Sequence, residues 1–208
     1  MISNMEVMLQ PGIAWQHYNA ILLLLAHGFG IQGLVLCRTL FEVVVGTFYL
    51  IKNPSLLADF TDHGKFLLYE QCLVGGLSAQ ELTKIVPDFE AIKARQGKRK
   101  TPWHQSSIKR IAIAVGLGET YNLLYPDASG GTHADATKTL SHGSRGWTRS
   151  LESFRSEQEA DIVRYNSFWL IGYVLYEVNK SLDMGHDKEA NALYMLMCER
   201  AKAAAMPN

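Results

Sequence analysis

Residues 36–45 read Leu36-Cys37-Arg38-Thr39-Leu40-Phe41-Glu42-Val43-Val44-Val45, and this stretch decides the fold. It shows no alternation of polar and apolar positions, so it does not read as a half-buried strand. The apolar run around it starts near Ile31 and stops at Lys52, before Asn53-Pro54, where the proline ring disfavours helix in its predecessor. A helix that is apolar nearly all round is a buried helix. A lone membrane span of this length would be disfavoured by Arg38 and Glu42 in its middle.

On a helix, positions 38 and 42 are neighbours on one face. Stripping water from each ion costs several kcal/mol, and pairing only about cancels that cost. Three readings follow: a buried structural salt bridge, the polar floor of a functional site, or a surface pair. Arg precedes Glu, the less favourable order for a surface pair, which argues against simple helix stabilisation.

The rest of the chain has the same helical character. Dense apolar residues run from Ile13 to His27, before Gly28-Phe29-Gly30. A third helix is expected from Pro54-Ser55 to Gly75-Gly76, with Pro near its first position. Ser78 and Glu81 have the spacing of a capping box, opening a helix that fades into a basic linker. Another helix is expected from Ser106 or Ser107 to Gly116. Residues 119–142 are helical in pattern but interrupted by Pro126 and by Gly130-Gly131. A polar loop at 143–150 precedes helices at about 153–183 and 188–205. The expected fold is all-α: one helical bundle of about six to nine helices over residues 13–205, after a lead-in at 1–12 and with the basic linker 93–104 inside it.

Composition supports a globular chain of 208 residues, with 48% hydrophobic and 19% charged residues. Lys+Arg and Asp+Glu each number 20, so a polyanion partner would have to be met by a local patch. Cys37, Cys72 and Cys198 are far apart and form no CxxC, which fits reduced thiols in a cytoplasmic protein. The opening residues lack a basic segment leading into an apolar run, so no signal peptide is expected. The apolar run at 20–26 is too short to span a bilayer, and Arg38 and Glu42 lie inside the longer apolar stretch, so no membrane anchorage is expected.

A second polar row stands out. Tyr121, Tyr125, Ser129 and His133 recur at four-residue intervals, which on a helix places them along one face. Arg-x-x-x-Glu in an apolar helix, then Trp103, Ser107-Ile108 and this Tyr-x-x-x-Tyr-x-x-x-Ser-x-x-x-His row resembles an uncharacterised family of all-helical bacterial proteins, a domain of unknown function. The resemblance covers roughly residues 15–180 and implies a helical fold but no reaction. The helical build and the Arg/Glu/His set are more loosely similar to HEPN-type (higher eukaryote and prokaryote nucleotide-binding) ribonucleases of toxin and phage-defence systems. Those enzymes place His four to six residues after Arg. The one formal match, Arg99 to His104, contains Pro102 and is discounted.

The residues can nevertheless be read as a joint site. Metal-free RNA cleavage needs a base for the 2′-hydroxyl proton and a cation for charge building on the phosphate. His133 suits the first role and Arg38 the second. Glu42 would orient one of them, and Tyr125 and Ser129 would donate hydrogen bonds. The competing reading of His133 is a core histidine bonded to a carboxylate such as Glu42. Lys98, Arg99, Lys100, Trp103, His104, Lys109 and Arg110 form a candidate RNA-binding patch, against the alternative of a solvated linker. His133, Asp135 and His142 are possible metal ligands but match no strong signature, so no metal and no cofactor are expected. Aromatics at 165, 168, 169, 173 and 176 suit core packing or a homodimer seam. The functional expectation is a metal-independent ribonuclease-like toxin or defence effector, with RNA and an antitoxin or defence-system protein as partners. The alternative is a non-catalytic helical interaction module.

Overall fold

The computed structural model describes residues 5–96, 103, 104, 106–132 and 157–205. Among them are nine α-helices and no strand: α1 Met5–Ala26, α2 Gly30–Lys52, α3 Leu57–Val74, α4 Ala79–Ile85, α5 Phe89–Gln96, α6 Ile108–Val115, α7 Gly118–Thr132, α8 Glu157–Leu182 and α9 Asp187–Ala205. The all-α expectation is met. The helices fall into two compact units, Lys52–Ser107 and the rest.

In the larger unit, α2 forms the centre of the core. Cys37, Leu40, Phe41, Val44, Val45 and Phe48 are buried there with Ala14 and Ile21 of α1, Ile111 of α6, Leu124 of α7 and Leu170 and Val174 of α8. By length and composition α2 could also cross a membrane, and half of its most apolar window is buried inside the fold. Gly172 lets the buried Met197 of α9 sit directly against α8; a Cβ at that position would fall on the methionine sulfur. Asn53-Pro54 ends α2 and begins the 3-10 turn Pro54–Leu56, as the proline rule requires.

Three boundaries depart from the sequence reading. The lead-in 1–12 is not separate from the first helix: α1 starts at Met5 and runs through Pro11. Val7, Ala14 and Ile21 lie seven residues apart and are buried, so side-chain packing on both sides of the proline carries the helix through the lost hydrogen bond. Similarly, α7 runs through Pro126, which points outward, to Thr132. The helix opened by Ser78 does not fade into the linker but is cut into α4 and α5 around Pro87.

In the smaller unit, Val86, Phe89 and Ile92 pack with Phe66 and Tyr69 of α3, and Tyr69 stacks on Phe89. Ser78 caps α4 in the expected box: its hydroxyl accepts from the Glu81 backbone, and the Glu81 carboxylate accepts from the Ser78 backbone at 2.9 Å. Ion pairs of Lys65 with Asp88 and of Arg95 with Asp62 join α3 to the α4–α5 segment.

Cys37 is wholly buried, and burial pushes its thiol up to about 12, whereas Cys72 and Cys198 are half-buried. At neutral pH it is the thiolate that attacks iodoacetamide and displaces iodide. The reagent is expected to modify Cys72 and Cys198 in the native protein and to reach Cys37 only on unfolding, as read by peptide mass spectrometry. Native modification of Cys37 at the rate of Cys198 would mean that the core around α2 is open.

Candidate functional site

The site grows from the one polar interruption of α2. Arg38 Nε donates to Glu42 Oε1 at 3.0 Å, which is the neighbour contact that four-residue spacing allows. Tyr125 of α7 completes a triangle. Its hydroxyl accepts from Arg38 Nη2 at 2.9 Å and donates to Glu42 Oε1 at 2.8 Å. The guanidinium also lies over the Tyr125 ring, with Cζ 4.7 Å from the centroid. Each group is therefore held by two others, the condition for rigid placement in a polar network.

Packing fixes the tyrosine. Tyr121 and Tyr125 stack at 4.6 Å and 20°, because a four-residue step on α7 sets one ring above the other. Phe41, fully buried on α2, meets both rings obliquely at 6.3 and 6.2 Å. Lys109 of α6 adds a second cation, its Nζ lying 5.9 Å from the centre of the Tyr121 ring.

The polar triangle is neither entombed nor loose. The side chains of Arg38 and Glu42 retain 23% and 40% of their exposure, so the pair lines the surface of the core and is open to a solute. One side of α2 is buried, and the two charges sit at the rim of that side. Burial pushes the Tyr125 phenol up, and its bond to the Glu42 carboxylate adds to this; Arg38 opposes both. Burial also works against the Arg38 charge, but its bonds to Glu42 and Tyr125 outweigh that and raise its value further. The result is a protonated phenol and a permanent cation side by side, a set that can bind and orient an anion.

The structure brings together Arg38, Glu42 and Tyr125 of the expected joint site. Ser129 is carried on the last described turn of α7, but its side chain and the whole of His133 lie outside the described residues, as do Asp135 and His142. Among the described residues there is no cluster of three potential metal-ligating side chains. The basic patch is less uniform than the sequence suggests. Lys93 and Arg95 belong to α5 rather than a linker, and Arg95 is bonded to Asp62 at 2.9 and 3.1 Å. Lys98, Arg99 and Lys100 lie outside the described residues. Trp103 packs edge-on to Phe60 and to His104 in the smaller unit, whereas Lys109 and Arg110 are exposed on α6 of the larger one.

Two features have no signal in the sequence. Lys109 belongs to the candidate RNA-binding patch, but its position beside Tyr121 is a tertiary fact. A cavity of about 270 Å³, lined by residues including Pro11, Leu175, Val178, Met184 and His186, has no signature in the sequence. None of Arg38, Glu42 and Tyr125 lines it. Its buried amide, Asn179, donates to Asp187 and accepts from the His186 backbone, and so serves the turn between α8 and α9.

No curated protein and no solved structure matches the chain. A family model does match, over residues 13–146, a span that includes α2, α6 and α7 and thus every member of the polar cluster. With well over half of its length matched, the chain belongs to the family of unknown function DUF5677.

Proposed function

We propose that the chain is a metal-independent ribonuclease of the bacterial toxin or phage-defence kind, acting in the cytoplasm. One observation carries the reading: α2, the central helix of the core, keeps an arginine and a glutamate at its partly exposed rim, where both bond a tyrosine of α7. Three apolar side chains there would join α2 to α7 at less desolvation cost.

In this mechanism a base takes the 2′-hydroxyl proton, the 2′-oxygen attacks phosphorus, and the bond from phosphorus to the 5′-oxygen breaks as that oxygen takes a proton back from the protonated base. The products are a 2′,3′-cyclic phosphate and a free 5′-hydroxyl. Arg38 binds the non-bridging oxygens as charge builds on them. Glu42 holds the guanidinium, and the protonated Tyr125 donates a hydrogen bond. His133 is the base that the sequence supplies. A neutralising antitoxin or defence-system protein is the partner that such an activity requires.

A second reading has its own observation. Arg38, Glu42 and Tyr125 form a closed triangle joining α2 to α7, and this suits a non-catalytic interaction module stapled by polar contacts.

The deciding experiment incubates the protein with end-labelled total bacterial RNA, with and without EDTA, beside folded His133→Ala and Arg38→Ala variants. The expected result is EDTA-resistant cleavage that both variants lose. Cleavage abolished by EDTA would replace this mechanism with a metal-dependent one, and no cleavage by folded wild type would leave the interaction module.

A further inference from the structure

Two cations bracket the tyrosine pair. Arg38 lies over the Tyr125 ring, Tyr125 stacks on Tyr121, and Lys109 lies over Tyr121, with successive separations of 4.7, 4.6 and 5.9 Å. Each ring thus has one neighbouring ring and one nearby cation, and the tyrosine pair links the two positive charges.

The two cations differ in their compensation. Arg38 is paired with Glu42, whereas among the described residues no carboxylate lies within ion-pair distance of Lys109. A ring quadrupole stabilises an exposed ammonium by only about 0.5–1 kcal/mol. That biases where the side chain lies and leaves its charge available to an anion. From this juxtaposition we infer that Lys109 is a second anchor of the Arg38 site, holding a phosphate of the RNA strand beyond the one at Arg38. The site therefore takes a strand of several nucleotides in preference to a single phosphodiester. This deepens the ribonuclease reading and rests on it for the identity of the ligand.

The test is fluorescence anisotropy with labelled 2′-O-methyl RNA, which presents phosphates without the attacking hydroxyl. A dinucleotide and a hexanucleotide are compared on wild type, Lys109→Gln and Lys109→Arg over a range of salt. Wild type is expected to bind the hexanucleotide more tightly. Lys109→Gln should weaken hexanucleotide binding about tenfold, reduce its salt slope by about 0.7, and leave the dinucleotide unchanged. Lys109→Arg should restore the longer ligand, and the unchanged dinucleotide separates this anchor from a merely structural role, which would weaken both lengths. Unchanged hexanucleotide binding by Lys109→Gln, or equal losses for both lengths, would overturn the anchor. Absence of RNA binding by wild type would overturn both the anchor and the ribonuclease reading. Length-dependent binding through Lys109 without cleavage of ordinary RNA would remove the nuclease step alone and support the anchor.

Discussion

Replacing Phe41 by alanine is expected to destabilise the protein by about 3–5 kcal/mol, the usual cost of emptying a large aromatic site in a close-packed core. Phe41 has no exposed surface and lies among the core residues of α2. It also touches both rings of the α7 tyrosine pair, and such contacts contribute beyond the area they bury. Phe41→Leu fills more of the space and should cost far less, so the pair of variants separates lost volume from lost ring contact. Urea unfolding followed by circular dichroism gives the measurement, with a shifted midpoint at constant slope marking a change in stability. A loss of under about 1 kcal/mol for Phe41→Ala would contradict the packing of α7 on α2. The consequence reaches the site, since Tyr125 is held by the same packing that places its hydroxyl on Arg38 and Glu42. On the ribonuclease reading, RNA binding should therefore fall even where the variant remains folded.

Local signals were legible where the chain's own chemistry decides the outcome. Asn53-Pro54 ends α2, and Ser78 with Glu81 opens α4, because each rests on backbone bonds made within a few residues. The proline inside α7 was misleading for the complementary reason. Its cost is local, whereas the burial of Leu124 is supplied by other helices. The Arg38–Glu42 contact follows from spacing alone. The bond from Arg38 to Tyr125 spans 87 positions, and the sequence suggested it only through a polar row that had no reason to occupy a core-facing helix. Lys109 had no such clue, since charge in a basic run carries no direction. Partial exposure was equally hidden: helical periodicity identifies α2 as a core element but does not reveal where its rim meets solvent.

Arg38→Lys should reduce RNA cleavage by about 10²–10³-fold while lowering stability by only about 1 kcal/mol. Lysine keeps the charge but lacks the planar fork that reaches Glu42 through Nε and Tyr125 through Nη2. Because both charged side chains retain exposure, the stability loss stays near that of a surface pair. Tyr125→Phe is the companion variant, preserving the ring stack and removing the hydroxyl that touches both charged groups. It also carries a pH signature. The folded phenol titrates above its ordinary value of 10.0, so its contribution to stability is full below that pH and is lost as the pH rises through the folded value. Tyr125→Phe should lack this part of the alkaline loss. If Arg38 and Tyr125 serve only to staple α2 to α7, both variants should lose stability together, and RNA should be untouched by wild type and variants alike. If they serve phosphate chemistry, Arg38→Lys should separate the two measurements, with a large fall in cleavage and a small change in unfolding. The ratio of those effects, more than the size of either one, distinguishes a site from a staple.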